Sequence, residues 1–150
     1  MEQTYFTKYI SILYRQGNRY YDRVLAQYGI GYGQQFYLTR IYENQGMSMF
    51  DLANLGHYDK GTVTKAIQKL VDLGYLHIRT DERDKRMRRL YTTESAETVI
   101  QALYQARKNW HRTLVEGLPQ EDQQRVEDIL KTMAYNAYGA MASTKQTDQG

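Results

Sequence analysis

Over residues 5–28, apolar or aromatic side chains recur at Phe6, Ile10, Leu13, Gly17, Tyr20, Tyr21, Val24 and Tyr28. Steps of three and four are the period of one helix face, so a first helix is predicted there. Gly29-Ile30-Gly31-Tyr32-Gly33 places three glycines in five residues and breaks it. Phe36, Tyr37, Leu38, Ile41 and Tyr42 mark a second helix that ends near Asn44-Gln45-Gly46. Ser48 followed by Asp51 approximates a capping box for a short third helix, with Leu52 and Leu55 facing inward and Gly56 as its end. After His57-Tyr58, Asp59 is the expected N-cap of a fourth helix, with Val63, Ala66, Ile67, Leu70 and Val71 on one side and Gly74 as its stop.

The period then changes. Tyr75-Leu76-His77-Ile78-Arg79-Thr80 alternates, and Arg88-Arg89-Leu90-Tyr91-Thr92 does so in part. Two short strands around a charged loop make a β-hairpin. Thr93 is expected to cap a long helix carrying Val99, Ile100, Leu103, Ala106, Trp110, Leu114 and Val115. Gly117-Leu118-Pro119 interrupts, and a last helix carries Val126, Ile129, Leu130, Met133 and Ala137. The fold class is therefore mainly α with a small β-hairpin wing: a winged helix-turn-helix over residues 30–95, and a helical region over 1–29 and 96–141. The small polar residues 142–150 are expected to form a flexible tail.

Composition narrows the function. The chain has 150 residues, one proline and no cysteine. Scarce proline suits long helices. Absent cysteine excludes disulfides, thiolate zinc sites and thiol-based sensing. The N-terminus lacks the basic and apolar regions of a signal peptide. No apolar stretch approaches the roughly 18 residues of a membrane span. A cytoplasmic protein without membrane association is expected.

Net charge is only +3, but its distribution is uneven. From Lys60 to Tyr91 there are nine basic residues (Lys60, Lys65, Lys69, Arg79, Arg83, Lys85, Arg86, Arg88 and Arg89) and four acidic ones (Asp72, Asp81, Glu82 and Asp84). That segment carries +5 and the remainder −2, a focusing of positive charge that attracts polyphosphate.

On a helical wheel, the side opposite Val63 and Leu70 holds Gly61, Lys65, Gln68 and Asp72, flanked by Thr62, Thr64 and Lys69. The second helix of a helix-turn-helix enters the major groove N-terminus first. Thr62, Thr64 and Lys65 are thus the candidates for base edges, with Gln68 on the same face. Lys60 and Lys69 are the candidates for phosphates, and Gly61 allows close approach. In the hairpin loop, Arg83-Asp84-Lys85-Arg86-Met87-Arg88-Arg89 packs five cations around one acid, a density that a merely solvated loop does not need. A narrow minor groove draws in such an arginine.

Enzyme readings find little support. His57, His77 and His111 are widely spaced and form no metal-ligand pattern. The glycines at 29, 31 and 33 lack the preceding strand of a phosphate loop. No carboxylate pair stands out as an acid–base couple. Neither a metal nor a cofactor is expected. The competing reading is a winged-helix protein-interaction module that never meets DNA, and the basic wing argues against it.

From about Gly29 to Glu97 the chain resembles the MarR family of bacterial regulators, especially its SlyA-like branch. The likeness is carried by Gly33-Gln34-Gln35-Phe36, by Asp59-Lys60-Gly61-Thr62-Val63-Thr64, and by Asp84-Lys85-Arg86 followed at family spacing by Thr92-Thr93-Glu94. Thr92 stands where the family has leucine.

The resemblance implies an obligate homodimer joined through the first and last two helices. It also implies a DNA-binding transcriptional regulator, commonly a repressor, whose two recognition helices reach a palindromic operator. Arg86 would enter the minor groove, and Asp84 would orient the wing by pairing with a nearby arginine. The aromatic load of Tyr5, Phe6, Tyr9, Tyr14, Tyr20 and Tyr21, and of Trp110, Leu114, Ile129, Met133 and Tyr138, fits an interface. Relatives that sense small aromatic or phenolic effectors suggest Tyr14, Arg15, Tyr37 and His111 as ligand-binding candidates.

Overall fold

The periodic segments fold as helices in a computed structural model that describes residues 5–56 and 59–147. Two compact units result, a first through Trp110 and a second from His111.

In the first unit, α1 spans Thr7–Leu25 and is followed by a 3-10 turn at Ala26–Tyr28, so the predicted single helix through residue 28 tightens in its last turn. α2 covers Tyr32–Glu43. Its start is held from α1: the Asp22 carboxylate accepts from the Tyr32 N–H at 2.7 Å, and the Gln34 side chain accepts from the Gly31 N–H at 3.0 Å. A negative charge at a helix N-terminus is favourable. Gly31 permits it, because a Cβ there would overlap the Asp22 carboxylate.

A two-residue strand, β1, follows at Met47–Ser48. The sequence reading put only a helix cap there, and two residues are too few to show a period. The cap is also present, since Ser48 Oγ accepts from the Asp51 N–H at 3.0 Å at the start of α3, Met49–Gly56. Leu52 is fully buried, but Leu55, expected to face inward with it, is 54 % exposed. It sits one residue before the end of α3, beside a small hollow shared with Met47.

α4 spans Lys60–Asp72 and buries Val63, Ala66, Ile67 and Leu70. β2 (Leu76–Thr80) and β3 (Arg88–Thr92) form the hairpin, with Ile78 opposite Leu90 and Arg79 opposite Arg89. β1 adds to β3 through Met47 and Leu90, giving the antiparallel order β1-β3-β2.

Thr93 does not cap the next helix. Its hydroxyl and that of Ser95 both donate to the Gly74 carbonyl, at 2.6 and 2.8 Å, and α5 begins at Ala96 and runs to Leu114. Satisfying the end of α4 outcompetes capping α5.

One core joins these elements. Leu25, Leu38, Ile41, Leu52, Leu70, Leu90, Ile100 and Leu103 are all fully buried in it. Each such side chain contributes about 1.5–3 kcal/mol by leaving water. The first turns of α5 therefore belong to the same core as the helix-turn-helix, through Ala96, Val99, Ile100 and Leu103. The boundary placed at residue 95 cuts through it.

Of the aromatics read as interface, Tyr20 stacks on Trp110 at 4.7 Å and donates to the Ala106 carbonyl, while Tyr21 packs on the core. Tyr9 and Tyr14 on α1, and Tyr5 and Phe6 just before it, stay exposed.

The second unit is dominated by α6, Gln120–Thr147. It passes the boundary expected at residue 142, because Ala140, Met141 and Ala142 favour helix and no glycine follows Gly139 within it. Residues 148–150 lie outside the described residues. Val126, Ile129, Leu130, Tyr135, Tyr138 and Met141 are exposed along α6. No helix among the described residues is long and apolar enough to cross a membrane.

Candidate nucleic-acid interface

α4 begins at a well-made cap. The Asp59 carboxylate accepts from the Thr62 N–H at 2.8 Å and from its hydroxyl at 3.0 Å, which holds its pKa below the ordinary value. With the helix so anchored, its apolar stripe faces the core. Lys60, Gly61, Thr62, Thr64, Lys65, Gln68 and Lys69 are all exposed. Besides the Thr62 hydroxyl, two of these polar groups are engaged locally: Thr64 donates to the Lys60 carbonyl at 2.8 Å, and Gln68 donates to Asp72 at 2.8 Å. Lys60, Lys65 and Lys69 form no ion pair among the described residues.

The wing loop is organised by carboxylates. Asp81 Oδ1 accepts from the N–H groups of Arg83 and Asp84 at 2.8 and 2.9 Å. Asp81 Oδ2 accepts from Arg89 Nε at 2.7 Å. Arg89 is the principal cause that holds the Asp81 carboxyl at about 2, followed by the two backbone donors. Further along, Asp84 Oδ1 accepts from both the N–H and the Nε of Arg86, at 3.1 and 3.2 Å. The arginine that Asp84 meets is thus Arg86 itself, whose side chain is 92 % exposed. An ion pair this open is weak and yields readily to a phosphate. Arg83, Lys85 and Arg88 also face solvent.

α3, α4 and the wing enclose a cleft of about 1000 Å³. Lys60, Thr64, Arg86 and Arg88 line it together with Met49, Phe50, Val63 and Met87. Of the residues foreseen from sequence, Lys60, Thr64, Asp84, Arg86 and Arg88 are brought together here, whereas Gly61, Thr62, Lys65, Gln68, Lys69, Arg83 and Lys85 do not line the cleft. Two participants were missed, Asp81 and Phe50, and Arg89 was counted only as one of the wing cations. Phe50 is 74 % exposed on α3, out of register with the buried Leu52, and that mismatch was its only sequence signal.

The effector candidates fare differently. Tyr37 is buried in the core with its ring against Phe36, so it is not available to a ligand. Its placement on the inward face of α2 is what the helical period demanded. Tyr14 and Arg15 lie on the exposed α1, with Tyr14 accepting from the Tyr32 hydroxyl at 2.9 Å. His111 is in the second unit. Neither described cavity is lined by any of the four. His57 lies outside the described residues.

A capped recognition-type helix, a hairpin wing and a shared basic cleft define a winged helix-turn-helix protein. Comparison with known proteins specifies the kind. Residues 28–87 match the model of the MarR family. The chain is 30 % identical over 104 residues to the HTH-type transcriptional regulator YybA of Bacillus subtilis (strain 168), covering 69 % of each protein. It is 33 % identical to a MarR transcriptional regulator of Methanosarcina mazei Go1, over 89 % of this chain and 96 % of that one, with a TM-score of 0.81. The fold is also that of S. aureus MepR in a MepR–DNA complex, at 20 % identity and a TM-score of 0.83, over 89 % and 99 % of the two chains. The chain belongs to the MarR family of winged-helix, DNA-binding transcriptional regulators.

Proposed function

We propose that the protein binds a palindromic operator as a homodimer, with α4 of each protomer in the major groove and the wing over the adjacent minor groove. The observation that carries this reading is the cleft to which α4 gives Lys60 and Thr64 and the wing gives Arg86, whose guanidinium is exposed, with Arg88 and Arg89. A cleft of that charge suits a sugar-phosphate strand passing between two grooves. Thr62, Thr64, Lys65 and Gln68 read base edges, Lys60 and Lys69 meet phosphates, and Gly61 lets the backbone come close. Arg83, Lys85 and Arg88 add phosphate contacts around Arg86 in the minor groove. That MepR is seen on DNA in the same fold supports the docking.

The dimer is supported by the exposed apolar side chains Ile10, Ile12 and Leu13 of α1 and Val126, Ile129, Leu130 and Met141 of α6. Bound across a promoter, such a dimer excludes polymerase, so the protein acts as a repressor. Release by a small phenolic effector is part of the same reading, with the exposed Tyr14 and Arg15 as its remaining candidates in the first unit.

Selection of bound duplexes from a random pool tests the proposal in one step. The expected product is an inverted repeat with half-sites about one helical turn, or 10 base pairs, apart. A pool that never enriches, even at low salt, would overturn it. Thermal shift against phenolic acids tests the effector, since a ligand of the folded state raises the melting temperature. Absence of any shift across the panel removes effector release from the proposal.

A further inference from the structure

The basic run of the wing contains an arginine that does not behave like its neighbours. Arg83, Lys85, Arg86 and Arg88 are exposed, whereas Arg89 is half-buried and doubly engaged. Its Nε donates to Asp81 Oδ2 at 2.7 Å, and its Nη1 donates to the Gly46 carbonyl at 2.9 Å. Gly46 lies in the turn between α2 and β1, and its own N–H donates to the Leu90 carbonyl at 2.8 Å. One guanidinium thus ties β3 both to that turn and to the end of β2.

Asp81 passes the restraint outward. Its other oxygen holds the N–H groups of Arg83 and Asp84, and Asp84 in turn holds the backbone N–H and the Nε of Arg86. The chain of contacts runs Gly46, Arg89, Asp81, Asp84, Arg86. Every link is a hydrogen bond, and the first three members are shielded relative to the tip.

From this geometry we infer that Arg89 and Asp81 form a clamp that positions the wing tip. Arg89 is a positioning residue and not a DNA contact, although it stands in the basic segment. The planar fork of a guanidinium serves two acceptors at fixed angles, which a lysine ammonium does not reproduce. Holding the loop before DNA arrives lowers the ordering cost of docking Arg86, so the clamp raises affinity without itself meeting a phosphate. The inference rests on the proposed contact of Arg86 with DNA.

The test uses the full-length protein and the operator duplex obtained by selection. Affinity is measured across a salt series for Asp81→Ala, Arg89→Gln and Arg89→Lys, each also combined with Arg86→Ala. Clamp variants should bind about fivefold or more weakly, and should cost less than about twofold once Arg86 is gone, because coupled residues are not additive. The slope of log affinity against log salt should match the parent's. Backbone amides of Arg83 and Asp84 should exchange hydrogen faster in all three variants, with the melting temperature reported alongside.

A slope that falls by about 0.9 in Arg89→Gln and recovers in Arg89→Lys identifies a phosphate contact and overturns the clamp. Full additivity with Arg86→Ala overturns it as well. Should Arg86→Ala alone leave affinity unchanged, the minor-groove reading fails, and amide exchange then decides the clamp by itself: faster exchange upholds it and unchanged exchange refutes it. Arg89→Lys keeps charge and bulk, so it serves where the other variants unfold.

Discussion

Arg86 and Arg89 are three residues apart and carry the same group, yet their surroundings assign them opposite tasks. Arg86 is open to solvent on a weak pair with Asp84, so its charge is available. Arg86→Ala should therefore cost about 1–3 kcal/mol of operator binding while leaving dimer mass unchanged. An unaltered binding isotherm would remove Arg86 from the interface. Arg89 instead holds Asp81 at about 2, below its ordinary 3.8, with help from the N–H groups of Asp84 and Arg83. A folded pKa below the unfolded one means the stabilisation is complete above the unfolded pKa and disappears as pH falls through the folded one. The clamp is thus closed at neutral pH and opens between about pH 4 and pH 2. Asp81→Asn should make acid unfolding shallower in that window. If both proteins lose stability in parallel, the carboxylate is not ionised as described.

Elements hold together here through their ends. The Asp22 carboxylate starts α2, Asp59 starts α4, and two hydroxyls on the Gly74 carbonyl finish the connection from α4 to the hairpin and α5. At the turn from α2 to β1, Gly46 has a φ of +87°, and a Cβ there would lie 3.1 Å from the Tyr91 hydroxyl. Backbone conformation and space both select glycine at this point. Gly46→Ala should destabilise the protein by about 1–2 kcal/mol in urea unfolding, the cost of a left-handed non-glycine residue. Because the Gly46 carbonyl receives Arg89, the same substitution should also loosen the wing. Equal urea midpoints would show that the turn relaxes at no cost.

For the whole molecule, the question is what covers α1 and α6. Tyr9, Ile10 and Leu13 on α1, and Ile129, Leu130, Tyr135 and Met141 on α6, are exposed in the single chain. In the proposed homodimer these side chains are buried between protomers. Ile129→Glu should then lower the mass in solution from twice 17.7 kDa to 17.7 kDa by light scattering, and weaken operator binding because half-sites are no longer linked. A variant that stays dimeric and binds normally would place the interface away from α6.

What the sequence determined by itself is what local physics can encode. Helical period located α1, α2, α4, α5 and α6, because the side that must leave water is written at steps of three and four. Alternation located the hairpin, and Asp59 announced the cap of α4 through its chemistry. The charge count pointed to the two segments that give Lys60, Arg86, Arg88 and Arg89 to one cleft. Tertiary structure decided what depends on partners distant in the chain. A two-residue β1 exists only because β3 lies beside it, and Thr93 turned from cap to tether because the Gly74 carbonyl was within reach. Tyr37 went to the core, while Tyr20 found Trp110. Within the basic wing itself, a run of cations looks uniform in sequence. Only folding, by bringing Asp81 and Gly46 to Arg89, separated the arginine that braces the loop from the one at its tip.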